Sequence, residues 1–329
     1  MATRSLTGIK PTGEVHLGNY IGAIKPALTF AKQPGLESFY FIANAHGLTK
    51  ITDSEEMRQL TRGIAATWLA LGLDPEKSVF YRQSDVPEVF ELSWILACVA
   101  PKGLLNRAHA YKAAVEENKA AGKEADAGVN MGLFTYPILM AADILLFQPD
   151  VVPVGRDQIQ HIEIARDVAQ HFNHIFGDVF KLPRVHIEEK VAVLPGLDGR
   201  KMSKSYGNTI PLFSEANELQ RLVNRIKTDS LPPEAPKDPE TSNLFTLYKE
   251  FAGPRQVEAM RARFAEGIGW GEVKKELYWA INEFMSEPRR RYNELLASPE
   301  VDRLLTEGAE RARAYSPPFL QEIKKAVGL

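Results

Sequence analysis

Three stretches of this chain carry residue types at spacings that suit chemistry. The first is TGIKPTGEVHLGNY, residues 7–20, in which Gly8, Gly13 and Gly18 recur every five positions. Glycine lets backbone approach a ligand where a Cβ would clash. A helix beginning near Gly18 turns its N–H groups and positive dipole end back on the loop. With His16 and Asn19 beside it as neutral donors, the stretch reads as a seat for phosphate. It is neither a G-x-x-x-x-G-K-S/T loop nor a G-x-G-x-x-G turn, and an ordinary strand-to-helix turn with a stray histidine is the plainer alternative.

The second stretch is MGLFTYPILMAADILLF, residues 131–147, where Asp143 is the only charge. Thr135 and Pro137 suit a helix start. Tyr136, Met140, Asp143 and Phe147 then fall on one helical face. An unpaired carboxylate there costs on the order of several kcal/mol. It accepts an N–H from a flat apolar ligand, pairs with a distant arginine, or reaches water at a helix edge; its aromatic and sulfur neighbours favour the ligand. The third stretch follows a Pro/Gly loop that begins near Val193 and runs RKMSKSYGN over residues 200–208. Arg200, Lys201 and Lys204 with Ser203 and Ser205 suit a mobile clamp on a polyphosphate, or a basic surface loop.

The elements that must hold these groups alternate in the first half. Residues 5–9, 38–43, 78–82 and 151–154 read as strands; 19–32, 54–71, 89–100 and 159–176 read as helices, with another starting near Thr135 and Pro137. Such alternation predicts βαβ units and a parallel sheet, with ligands at the carboxyl ends of its strands. His46, in Asn44-Ala45-His46, ends the second strand and is either part of that edge or a surface histidine. Asp157 and Gln158, at a strand end and helix start, suit a ribose or an ammonium group, or simple capping. Residues 110–126 read as a solvated helical insertion. From residue 214 strands nearly vanish, and helices are expected at 215–227, 244–251, 256–266, 271–287, 299–315 and 317–327. The fold class is therefore α/β: a Rossmann-type parallel-sheet catalytic domain over 1–190, then the RKMSKS loop and a helical domain over 191–299, with helices of about 300–329 expected to dock back on the first domain.

At 329 residues the chain is long enough for two domains. A net charge of −2 advertises neither nucleic acid nor membrane globally. No apolar run is long enough for a membrane span, and no leader pattern opens the sequence. The single cysteine, Cys98, excludes an internal disulfide framework and fits a reducing cytoplasm; a small buried hydrophobe is its expected role.

Together these stretches resemble the bacterial tryptophanyl-tRNA synthetases, class I aminoacyl-tRNA synthetases. PTGEVHLGNY resembles their form of the class I "HIGH" element, RKMSKS the second class I motif, and TYPILMAADILL with DVVPVGRDQIQHIEIARDVA the segment between. Tyrosyl enzymes share the two motifs but not this middle segment. The resemblance implies that tryptophan attacks the α-phosphate of ATP, with Mg²⁺ accompanying the nucleotide, and that the tryptophanyl group passes to tRNA(Trp). It implies ATP contacts from Lys10, Pro11, Thr12, Gly18 and Asn19, an adenosine site at Gly155, Arg156 and Asp157, and Val193 near the adenine. Lys201, Met202, Ser203, Lys204 and Ser205 hold the phosphates, and His16, Asn19, Lys201, Ser203 and Lys204 form the catalytic set. Asp143 accepts the indole N–H, Tyr136 and Gln158 hold the amino group, and Gly8, His46, Met140, Val152 and Val154 surround the ring. The resemblance implies a cytoplasmic homodimer with no resident metal.

Four positions depart from the family pattern: Lys10 for glutamine, Arg156 for an acidic residue, Asn44 for aspartate and Leu6 for an aromatic. Added cations around the nucleotide predict a weaker dependence on Mg²⁺. Two other functions fit parts of the pattern: a class I-like nucleotidyltransferase that makes no aminoacyl-tRNA, and a non-catalytic relative that binds nucleotide or tRNA.

Overall fold

The computed structural model describes residues 3–11, 13–155, 158–187 and 193–329. Its centre is a five-stranded parallel sheet of order β3-β2-β1-β4-β5, built from β1 (Thr3–Ile9), β2 (Leu36–Ile42), β3 (Ser78–Arg82), β4 (Val151–Val154) and β5 (Arg184–Ile187). β1 runs alongside β2 from Thr3↔Leu36 to Ile9↔Ile42, and β2 alongside β3 from Ser38↔Ser78 to Ile42↔Arg82. The chain moves outward on one side of β1 and returns at β4 on the other. The crevice at the carboxyl ends of β1 and β4 is thus the switch point where such sheets bind ligands. Five consecutive buried residues, Ser38–Ile42, make β2 a central strand covered on both faces.

After β1 the chain forms one helical run in three pieces: α1 (Leu17–Asn19), a π-helical turn (Tyr20–Ile24) and α2 (Lys25–Ala31). A single helix over 19–32 is expected from sequence; the widened turn precedes Pro26, which has no N–H to offer the Gly22 carbonyl. Next come α3 (Asn44–Gly47) and α4 (Ser54–Ala70). The Asp53 carboxylate caps α4 by accepting from the N–H groups of Glu55 and Glu56, both at 2.8 Å.

Between β3 and β4 lie α5 (Glu88–Val99), α6 (Lys102–Asn106), α7 (His109–Ala120) and α8 (Met131–Leu145). α8 starts earlier than its composition suggests, because the Asn130 side chain accepts from the Leu133 N–H at 2.8 Å; Pro137 lies inside the helix. On α5, Val89, Leu92, Ile95 and Leu96 face the core, whereas Phe90, Trp94 and Cys98 form an outward stripe. Cys98 is thus exposed, not the buried hydrophobe expected, because it falls on the opposite helical face from Val89 and Leu96.

α9 (Ile159–Phe176) leads to β5, a four-residue strand that sequence alone does not reveal. The remainder is helical: α10 (Ala216–Asn224), α11 (Asn243–Phe251), α12 (Pro254–Glu266), α13 (Trp270–Ala297), α14 (Glu300–Arg313) and α15 (Ser316–Val327). α13 continues past Pro288 to Ala297, beyond the end expected at 287. Arg290 pairs with both Glu287 and Glu294 across that region.

α14 lies against the outer edge of β3. A Cβ placed on Gly308 would sit 1.7 Å from the Phe80 carbonyl oxygen. The contact is fixed by Arg313 on the buried Glu88 at 2.7 Å, by Arg82 on Asp302 at 2.9 Å, and by Arg311 on the Ser78 carbonyl at 3.1 Å. One apolar cluster runs from Ile9 and Leu17 through Met202 into α10–α14; the second joins Leu6, Phe39 and Val152 to α5, α8, α9 and α15. Among the described residues no helix is long and apolar enough to cross a membrane.

Candidate active site

Two cavities meet at the switch point. One, of about 450 Å³, is lined by Lys10, Asn19, Gly155 and Lys204, with Trp68 and Ile64 of α4 behind. The other, of about 320 Å³, contains Asp143, Tyr136, Met140, His46, Val152 and Leu6. Gly8, Lys10, Val154 and Gln158 line both, so the cavities adjoin across the ends of β1 and β4. Gly8 is required for this: a Cβ there would meet the Phe41 ring at 2.8 Å.

Asp143 is 2% exposed and, among the described residues, has no arginine partner. Its Oδ2 lies 2.8 Å from His46 Nε2, and Gln83 Nε2 donates to Oδ1 and Oδ2 at 2.8 and 2.9 Å. Burial holds the carboxyl above its ordinary range, against the opposing pull of the His46 and Gln83 hydrogen bonds. The Tyr136 hydroxyl lies 3.2 Å from His161 Nε2, and burial raises the phenol. Phe147, on the same face by spacing, lies past the end of α8 and packs on Phe39 and Tyr81 instead of lining the cavity.

Beside the nucleotide-type cavity, but buried and not among the residues found lining it, His16 is the cap of α1. Its Nδ1 accepts from the Asn19 N–H, and Asn19 Oδ1 accepts from the His16 N–H, both at 3.2 Å. Burial, and then the Lys204 ammonium, depress the imidazole to about 4. The ring is therefore neutral, and with Nδ1 accepting, its proton sits on Nε2. Burial, and then Lys50, lower the Lys10 ammonium.

The RKMSKS loop is sewn onto this cradle. Leu17 N–H donates to the Ile210 carbonyl at 3.0 Å and Leu212 N–H to that of Val15 at 2.9 Å. Gly18 N–H lies 3.3 Å from Met202 Sδ. Gly13 has φ +57°, and a Cβ on it would sit 3.2 Å from Lys204 Nζ. The loop's own shape depends on Asn208, which is 2% exposed. Its amide donates to Asp198 at 2.7 Å and accepts from the Ser203 N–H at 2.8 Å. Asn208 and then Arg200 hold the Asp198 carboxyl at about 2.

The Lys204 side chain therefore meets the cavity, while Met202 points into the core. Lys201 and Ser205 are exposed, Ser203 is half-buried, and Val193 is 58% exposed. None of these four is among the residues found lining either cavity. Pro11 is buried beside Lys10. Thr12, Arg156 and Asp157 lie outside the described residues.

A family model for tRNA synthetases class I (W and Y) matches residues 1–286. The chain belongs to the tryptophanyl-tRNA synthetase family. The synthetase is 55% identical over 333 residues to a tryptophan–tRNA ligase of Pseudomonas putida, covering 100% of this chain and 74% of that one. It is 54% identical to the Neisseria meningitidis ligase, covering 99% and 98%. The Campylobacter jejuni tryptophanyl-tRNA synthetase, solved with ADP and tryptophan, superposes with a TM-score of 0.91 at 45% identity, over 99% of this chain and 100% of that one. The Mycoplasma pneumoniae enzyme follows at 0.80 and 29%, over 100% and 98%.

Sequence reasoning missed Gln83, His161 and Asn208 in this synthetase. Gln83 stands one residue past β3, as His46 stands shortly past β2, so the carboxyl-end rule applied to the third strand would have found it. Among the described residues no three His, Cys, Asp or Glu side chains form a group able to hold a metal. Among the described residues, the nucleotide-type cavity is lined by cations and neutral donors and by no serine, cysteine, aspartate or glutamate.

Proposed function

We propose that the chain activates L-tryptophan with ATP to tryptophanyl-adenylate, releasing diphosphate, and transfers the tryptophanyl group to the 3′-terminal adenosine of tRNA(Trp), releasing AMP. The observation that carries this reading is the buried Asp143 carboxylate in an apolar cavity that shares Gly8, Lys10, Val154 and Gln158 with a lysine-bearing cradle.

The indole lies between Met140, His46, Val152, Val154 and Gly8 with its N–H on Asp143. Tyr136 and Gln158 take the ammonium group, which turns the carboxylate toward Lys10 and the cradle. ATP rests on Lys10, Pro11, Gly18, Asn19 and Gly155, with Thr12, Arg156 and Asp157 completing its site and Val193 beside the adenine. The tryptophan carboxylate oxygen bonds to the α-phosphorus as the bond to diphosphate breaks. Positioning and charge stabilisation by Lys204, Lys201 and their neighbours Met202, Ser203 and Ser205, with neutral His16, suffice for that step. Mg²⁺ arrives on the phosphates, because it binds mainly through substrate phosphates and a few carboxylates.

A site built to bond one N–H rejects analogues that lack it by roughly 10⁴–10⁵, so tryptophan is separated from phenylalanine without a second, editing site. ATP–diphosphate exchange with Trp, Tyr and Phe, followed by charging of tRNA(Trp), tests the reading. Exchange without charging would mark another nucleotidyltransferase, and binding without exchange a non-catalytic relative.

We assign residues 1–190 to catalysis and 191–299 to the RKMSKS loop and the anticodon-binding helices, with 300–329 completing the first unit, in a cytoplasmic homodimer.

A further inference from the structure

Gln83 is fully buried, one residue beyond β3. Its Nε2 donates to both oxygens of Asp143, and its Oε1 accepts from the Ala45 N–H at 3.1 Å. Ala45 precedes His46, whose ring is the other partner of that carboxylate. One amide thus ties α8 to the short α3 at the end of β2. The backbone that carries it is itself anchored: Arg82, immediately before, pairs with Asp85 at 2.7 Å and with Asp302 at 2.9 Å.

We propose that Gln83 is a positioning residue that sets the specificity of the cavity, by holding Asp143 with one acceptor site open to a ligand N–H. This rests on the assignment of Asp143 to the indole. A carboxylate has about four lone-pair positions. Oδ2 takes His46 and a share of the Gln83 amide, whereas Oδ1 takes Gln83 alone, so the spare capacity lies on Oδ1. His46 and Gln83 each spend an N–H on the carboxylate. A bare N–H is satisfied there, while a hydroxyl brings lone pairs that neither His46 nor Gln83 is available to meet. Only an amide performs both tasks at position 83. Glutamate could still accept from Ala45, but buried against a second carboxyl it would share one proton with Asp143, which disturbs the anionic acceptor offered to the indole; methionine performs neither task.

The test compares tryptophan with β-(3-benzothienyl)alanine, which replaces the indole N–H by sulfur, in ATP–diphosphate exchange by the full chain. The parent favours tryptophan strongly; a parent with no preference would refute the role of Asp143 itself, whatever Gln83 does. Q83M and Q83E are expected to lower kcat/KM for tryptophan roughly 10- to 100-fold, the worth of one hydrogen bond to a charged group. The sulfur analogue should change little and KM for ATP not at all. Equal losses for both amino acids would make Gln83 merely structural, and no loss would make it irrelevant; either overturns the proposal. Q83E keeps the size and the Ala45 contact, so it decides the matter if Q83M fails to fold.

Discussion

Replacing Asp143 by alanine isolates the interaction on which the amino-acid site depends. The carboxylate is 2% exposed and bound by His46 and Gln83. Its loss removes a charge-assisted acceptor for the indole, about 1.5–3 kcal/mol. It also leaves the bound indole N–H unpaired in a dry cavity, a further cost of about 1–3 kcal/mol. The sum, about 2.5–6 kcal/mol, corresponds to a fall in kcat/KM for tryptophan of roughly 10²- to 10⁴-fold. The cradle that receives ATP shares Lys10 with this cavity but not Asp143, so KM for ATP should stay within about twofold, inside the range of measured uncoupled sites. Initial rates of ATP–diphosphate exchange, with each substrate varied in turn, provide the measurement. Parental kcat/KM for tryptophan in Asp143→Ala, or equal damage to both substrates, would refute the reasoning.

Gly308→Ala forces a methyl group into the Phe80 carbonyl and should cost about 3 kcal/mol, the upper end of overpacking penalties; urea midpoints decide, and an unchanged midpoint would mean that α14 does not lie on the strand. His16 is depressed to about 4 from an ordinary 6.5, so the unfolded chain binds the extra proton between those values. Its contribution to stability is then complete above about pH 6.5 and fades as pH falls toward 4. Denaturation of the parent and His16→Asn across that window should converge at the acid end, and parallel curves would count against a neutral ring. A Mg²⁺ titration of exchange should show the parent less dependent on the ion than the Lys10→Gln, Arg156→Glu double variant; identical curves would dismiss the added cations as an explanation.

Much of the site was legible because its parts are local. Asp143 stands out as a lone charge in an apolar run, and the glycine loop and RKMSKS are contiguous signals. What ties them together is not local: the partners of Asp143 come from the ends of two other strands, and Asn208 acts through a turn that only the folded loop creates. Proline misled twice. Pro137 and Pro288 both lie inside helices, the first behind an Asn130 cap and the second spanned by the Arg290 pairs. β5 escaped notice because four residues carry little pattern and its pairing is with β4 alone. Cys98 was misjudged from residue type, where the facing of Val89 and Leu96 on the same helix held the answer.

The cover over β3 is supplied from far along the chain: Arg311 reaches back across 233 residues to the Ser78 carbonyl. During synthesis, then, the first half emerges from the ribosome with an unpaired row of backbone donors and acceptors, and waits for the last quarter before that row is shielded. Premature termination ahead of α14 would release a polypeptide with a bare template for other nascent strands.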